Sequence, residues 1–458
     1  MIQPAQTYPQ HFKAALVLGV PLMLSNLAQF MIHVTDTLML GWYDVTALAA
    51  ATLASSLYFV MFILGAGFAQ AVTPLVAAAA ERGDVTTARR ATRMAVWLSV
   101  IYGAVISLPF FVAEPILLAI GQTPAVASAG ADYLWIVILG LIPALIVMVL
   151  KAFLVALEMT RMILWSTIAA AVLNVGLNYV LIFGNFGAPE LGIQGAAIAS
   201  VTVQVLTVIV VLAYILRRLP QYQLLRNPWR PDPSVMARVF TLGLPIGLTS
   251  LAEGGLFTAS AIMMGWIGEI PLAAHGIALQ LASLTFMVHI ALSQAATVRA
   301  GRAVGRRDEV GLRRGGVAAT AMSGVFVAIT IVVFLAFPEP LIALFIDADA
   351  AARTEIMLIG TQLLALAALF QLVDAAQVMA LGLLRGVQDT AVPMVIAAIS
   401  YWVIAVPVSY VLAFPLGWGP QGLWLGLVVG LFFAAVALQL RFWNGRRRNP
   451  LTPLAQTN

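Results

Sequence analysis

Residues 19–42 read GVPLMLSNLAQFMIHVTDTLMLGW, and residues 243–266 read GLPIGLTSLAEGGLFTASAIMMGW. At a constant offset of 224 residues, Gly19-Val-Pro21 meets Gly243-Leu-Pro245 and Met39-Leu-Gly-Trp42 meets Met263-Met-Gly-Trp266. The register continues without a gap, with Leu48-Ala-Ala on Leu272-Ala-Ala, Asp84 on Asp308 and Arg89-Arg90 on Arg313-Arg314. It resumes at an offset of about 227, where Gly192-Ile-Gln-Gly195 meets Gly419-Pro-Gln-Gly422. Chance composition does not hold a register over such a length, so the chain reads as a duplication.

Each copy is a series of apolar runs. Of the residues, 62% are hydrophobic and 9% charged, against about 25% charged in a soluble domain, and no soluble core absorbs that much apolar surface. Twelve runs fall at about 12–40, 46–78, 93–114, 129–155, 162–183, 191–217, 235–265, 271–299, 312–337, 355–383, 391–414 and 420–443. Each is long enough to cross a hydrocarbon layer about 30 Å thick. Lipid admits only helices and closed barrels, and these runs are too long and too uniformly apolar for barrel strands. The predicted fold is an all-α polytopic membrane protein with 12 transmembrane helices in two six-helix lobes.

Six is even, so both lobes cross the membrane in the same sense and form a parallel internal repeat, a transporter architecture in which one lobe rocks against the other. The predicted division is an N-terminal lobe at 1–218, a proline-rich cytoplasmic linker at 219–234, a C-terminal lobe at 235–443 and a basic tail at 444–458. Pro21 and Pro245, at equivalent places, are expected to weaken their helices and permit bending.

The net charge of +5 does not indicate a nucleic-acid partner, because the basic residues sit in short loops rather than in an extended patch. They set topology. Arginines follow predicted helices 2, 4, 6, 8, 10 and 12, whereas the loops after helices 1, 3, 5, 7, 9 and 11 hold only Arg353. Lys and Arg accumulate in cytoplasmic loops, so both termini are expected in the cytoplasm. The first residues lack the pattern of a cleaved signal peptide. The absence of cysteine excludes disulfides and thiolate metal sites.

Most acidic residues fall in loops or at helix ends, and three do not: Asp36, Glu253 and Asp374. A charge at the bilayer centre costs roughly 3 kcal/mol on insertion scales, so such groups normally face an internal cavity and do work. Spacings of three and four residues bring Phe370, Gln371, Asp374 and Gln377 onto one side of a helix. Their oxygens suit either a hard monovalent cation or a proton held on a buried carboxyl. Glu253 shares a face with Thr249 and Ser250 and aligns with Gln29, while Asp36 aligns with Ser260. The lobes therefore carry different sites. Asn174 and Asn178, four apart, are expected to complete a polar pocket with Asp36 and Thr202. The histidines show no metal-ligand spacing, and no cofactor is expected. Arg and Lys are read as absent from mid-helix positions of the N-terminal lobe.

The segment from Pro21 to Gly41, the Asn174/Asn178 pair, Glu253, and Gln371-Leu-Val-Asp374-Ala-Ala-Gln377 running into Gly382-Leu-Leu-Arg-Gly386 together resemble the multidrug and toxic compound extrusion (MATE) family, in its NorM-like bacterial branch. The resemblance covers almost the whole chain. It implies export of small-molecule drugs, often cationic and aromatic, in exchange for inward Na+ or H+ across the bacterial inner membrane; a monomer is expected because the two lobes already form a closed cavity. It also implies a C-lobe cation site on Glu253 and Asp374 with the ring of Phe370, and an N-lobe proton-coupling acid at Asp36. Where such relatives carry Tyr, this chain keeps the ring at Phe370 without the hydroxyl. The alternative of the same superfamily is a lipid-linked oligosaccharide flippase, expected to need a basic cavity for pyrophosphate. An enzyme such as a prenyltransferase would need paired aspartate motifs for Mg2+-diphosphate, and none is present.

Overall fold

The structure is a computed structural model and describes residues 7–119, 121–347 and 352–445. Residues 348–351, and the predicted basic tail beyond residue 445, lie outside the described residues. Twelve helices are long and apolar enough to span a membrane. They are α1 Tyr8–Tyr43, α2 Thr46–Glu81, α3 Val85–Ala119, α4 Pro124–Ala156, α5 Thr160–Phe183, α6 Gly192–Arg218, α7 Pro233–Ile267, α8 Glu269–Arg306, α9 Glu309–Ala336, α10 Arg353–Gly386, α11 Ala391–Ala413 and α12 Gly419–Asn444. The protein is a multi-pass membrane protein, nearly all helix among the described residues.

Helix starts reflect local chemistry. Asp84 Oδ1 accepts from the Thr87 N–H at 2.9 Å and opens α3, and Asp308 Oδ1 accepts from the Gly311 N–H at 2.7 Å and opens α9. These are side-chain caps on otherwise orphaned backbone donors, at positions that the 224-residue offset superposes.

Packing divides the chain into two compact units, one of Leu24–Gly247 and one of Met1–Met23 with Leu248–Asn458. In the first-half unit the main helix pairs are α2 with α3, α2 with α4, α3 with α4, α4 with α6 and α5 with α6. In the second-half unit they are α8 with α9, α8 with α10, α9 with α10, α10 with α12 and α11 with α12. Adding six to each number of the first set gives the second.

The units do not follow the predicted lobe limits at 218 and 235. Each boundary falls inside a helix, two residues after Pro21 in α1 and two after Pro245 in α7. The start of α1 packs within the second-half unit, where an Arg299 Nη2 lies 3.0 Å from His11 Nδ1. The start of α7 packs within the first-half unit: Gly67, Gly243 and Gly247 bring α2 and α7 so close that a Cβ on Gly67 would lie 2.3 Å from the Gly243 carbonyl oxygen. Lipid tails are as apolar as the helices, so close backbone approach at small residues holds such helices together. The same device sets α8 against α10, where Thr297 Oγ1 donates to the Gly382 carbonyl at 2.8 Å and a Cβ on Gly386 would sit 2.5 Å from that of Ala300.

Candidate functional site

Each unit holds a polar cluster around a carboxylate, among apolar helices. In the second-half unit α10 presents Phe370, Gln371, Asp374 and Gln377, all buried. Gln371 Nε2 donates to the Ala282 carbonyl of α8 at 2.8 Å, and Gln377 Nε2 donates to the hydroxyl of Tyr401 on α11. With their amino ends engaged, both amides leave their oxygens over. Gln371 Oε1, Gln377 Oε1 and Asp374 Oδ1 are buried with no hydrogen-bond partner. A buried acceptor without a donor costs roughly 1–3 kcal/mol, so three on one helix need a common reason.

Glu253, half-buried on α7, acts electrostatically on Asp374, and Arg385 acts on Glu253. Tyr401 interacts with both carboxylates and with Arg385. The structure therefore brings Glu253 and Asp374 together, with Arg385 three turns along α10 on nearly the same face. Phe370 stands edge-on to Phe257 at 6.0 Å and to Trp424 at 5.7 Å. Trp424 Nε1 donates to His275 Nδ1 at 3.0 Å, and His275 Nε2 lies 3.4 Å from the Ser260 hydroxyl. Phe370 is thus one wall of an aromatic cluster beside the oxygens.

In the first-half unit Asn178 Nδ2 donates to Asp36 Oδ1 and, at 3.2 Å, to Asn174 Oδ1. The Asn174/Asn178 pair read from spacing and Asp36 are therefore hydrogen-bonded to one another between α1 and α5. Tyr133 of α4 also interacts with Asp36, and Ser55 of α2 donates to its hydroxyl at 3.5 Å. Thr202 is half-buried on α6, and no hydrogen bond joins it to the trio among the described residues.

Among known proteins, the model of the MatE family matches residues 21–180 and again 245–411. The chain belongs to the MatE family. The two matches start 245 − 21 = 224 residues apart, the offset read from the sequence. This MatE chain is 45% identical over 99% of its length to the probable multidrug resistance protein NorM of Rhizobium meliloti, covering 98% of that protein. It is also 45% identical to the Agrobacterium fabrum protein of the same name, with 94% of this chain and 93% of that one aligned. Its fold is that of a multidrug resistance MATE family transporter of the MOP superfamily solved in an outward-facing conformation. The TM-score is 0.85 at 19% identity, with 96% of each chain covered. A eukaryotic MATE transporter, AtDTX14, superposes with a TM-score of 0.82 at 21% identity over 96% of this chain and 99% of that one. The relatives are transporters and not enzymes.

Three groups escaped the sequence reading of this MatE chain. Arg385 counted there as one of the arginines that follow helix 10 and as part of the Gly382–Gly386 motif, with no role in the site, although its spacing of eleven from Asp374 signals a shared face. Tyr401 lies in an apolar run that also holds Tyr410, and no pattern distinguishes it; the structure does, by a π-helical stretch at Ile399–Ala405, a feature frequent at functional sites. Lys151 corrects the expectation that mid-helix positions of the N-terminal lobe lack Arg and Lys. It lies inside α4 and donates to Thr167 Oγ1 at 2.9 Å, itself 2.9 Å from Ser25 Oγ. Its hydrocarbon stem extends the apolar run and hides the charge in a sequence reading.

Proposed function

We propose that this protein is a secondary active multidrug exporter, moving mostly cationic, aromatic drugs outward in exchange for inward Na+ or H+ by alternating access. The carrying observation is the acceptor cluster on α10, where three buried oxygens lack donors beside two carboxylates. A hard cation takes such oxygens as ligands, and a proton converts a carboxyl oxygen into the missing donor. Either would neutralise part of an acidic pair that lipid surroundings disfavour. Asp36, with Asn174 and Asn178, forms the matching acid of the other lobe, and Thr202 joins that pocket as transport proceeds. The names of the relatives support drugs as cargo. The protein acts as a monomer of the bacterial inner membrane with both termini in the cytoplasm.

Coupling requires that the cation bind one conformation more tightly than the other, since a ligand with equal affinity for both shifts nothing. Competition for Glu253 and Asp374 supplies the coupling: loading the cation from outside displaces the drug. The test is displacement of a bound fluorescent cationic dye from purified protein by Na+ or by acidification. Dye release from the parent protein but not from folded Asp374→Asn supports this reading, and equal release from both contradicts it.

Lys151 favours a second reading, a lipid-linked oligosaccharide flippase that would use it for pyrophosphate. Lys151→Met separates the two. Unchanged drug export leaves the drug reading standing, and loss of lipid-linked sugar translocation with no drug export from either protein favours the flippase.

A further inference from the structure

The loop leading into α7 and the first turns of α3 line a half-open cavity of about 380 Å3 within the first-half unit. Five guanidinium groups line it, those of Arg89, Arg90, Arg93, Arg226 and Arg230, against the single carboxylate of Asp232. Asp232 is engaged by an ion pair with Arg90. Arg89 and Arg226 share one neutral acceptor, Gln223 Oε1, at 3.5 and 3.0 Å. Arg93 Nη1 donates to the carbonyls of Arg226 and Asn227 at 3.5 and 3.0 Å, while its Nε is buried with no acceptor. The like charges of Arg89, Arg90 and Arg230 all act on Arg93.

The loop that gathers these charges is fixed. Trp97 Nε1 donates to the Pro228 carbonyl at 3.0 Å, and Tyr222 is buried edge-on to Phe153 at 5.2 Å. A built structure that holds four excess positive charges together works against their repulsion. An anion relieves it, and guanidinium forks match phosphate oxygens in geometry.

The surroundings select the kind of anion. Both α3 and α7 begin at this cavity, so it lies where the chain enters the apolar layer. Trp97 and Trp229 meet edge-to-face at 6.2 Å; Trp229 is 81% exposed and Leu225 52%. An apolar ledge next to the cations has no use for a free ion, whereas a phospholipid presents phosphate first and glycerol and acyl chain next to it. We propose that this cavity binds the phosphate headgroup of an anionic phospholipid, with its glycerol end against Trp97 and Trp229.

The test uses delipidated full-length protein titrated with phosphatidylglycerol or phosphatidylcholine and read by native mass spectrometry, for the parent and for Arg226→Gln/Arg230→Gln. The variant keeps the Arg90 to Asp232 pair. Phosphatidylglycerol is expected to fill one tight site, weakened about tenfold or more in the variant, with partial recovery in Arg226→Lys/Arg230→Lys and no such site for phosphatidylcholine. Equal phosphatidylglycerol binding by parent and variant, or equal binding of the two lipids, overturns the proposal. Displacement of the lipid by millimolar inorganic phosphate, with binding unchanged in Trp229→Ala, overturns it as well by assigning the cavity to the free ion. An unaltered melting temperature without lipid shows that the variant folds. Should it not fold, added salt must weaken phosphatidylglycerol binding to the parent, and unchanged binding contradicts the proposal.

Discussion

At the scale of the residue, orientation of two amides carries the account. Gln371 and Gln377 each spend a donor elsewhere, on the Ala282 carbonyl and the Tyr401 hydroxyl, and so leave their oxygens buried without a donor on the helix that carries Asp374. Tyr401→Phe removes the acceptor that holds Gln377 and leaves a buried amide free to rotate. We expect a several-fold rise in the concentration of coupling cation needed for half-maximal transport, with the maximal rate retained; a changed rate at unchanged cation affinity would contradict the role. Asp232 gives a second prediction. Its burial alone would raise its carboxyl, but hydrogen bonds from Ser234 and the Val235 N–H and the ion pair with Arg90 outweigh that and hold it below the usual carboxylate range. A folded value below the unfolded one means stabilisation that is complete above the ordinary carboxylate pKa and lost as pH falls through the folded value. Asp232→Asn should therefore cost up to about 1 kcal/mol at neutral pH through the lost ion pair, with parent and variant melting curves converging below about pH 4.

Elements show why part of the site was legible and part was not. Spacing alone placed Phe370, Gln371, Asp374 and Gln377 on one face of α10, and Asn174 and Asn178 on one face of α5, because 3.6 residues per turn fixes neighbours within a helix. Contacts between helices obey no such rule. Tyr401 and Trp424 reach α10 from α11 and α12, and their arrival depends on the π-helical turn of α11 and on how closely the helices pack. Close packing has its own prediction. A Cβ on Gly386 would meet Ala300 Cβ at 2.5 Å and the Thr297 carbonyl oxygen at 2.8 Å, a backbone atom that cannot swing aside. Gly386→Leu should lower stability by roughly 1–3 kcal/mol or prevent accumulation of folded protein, read as the melting temperature in detergent. Gly276→Ala, where a Cβ meets nothing within 4 Å, serves as the control and should cost little.

For the whole molecule, the repeat was legible in the sequence as an offset, and three separate features share it: the Asp84 and Asp308 caps, the two family matches, and the unit boundaries at Met23 and Gly247, where 247 − 23 = 224. The exchange of leading segments was not legible, because nothing in an apolar run states which unit it packs into. It gives the prolines a place in the account: α1 and α7 each pass from one unit to the other two residues after a proline that interrupts the backbone ladder. If the lobes rock, these are the points where both helices must bend. Pro21→Ala with Pro245→Ala should slow drug export while leaving equilibrium dye binding intact, and a normal rate in the double variant would remove the prolines from the mechanism.

We propose that a coupling cation bound among Glu253 and Asp374 drives export. The most direct test is uptake of a fluorescent cationic drug into everted vesicles under an imposed Na+ gradient and, separately, an imposed pH gradient. The account predicts uphill uptake driven by at least one gradient in the parent and none in Glu253→Gln or Asp374→Asn at equal folded abundance. Gradient-driven uptake by those variants at the parent rate would contradict it.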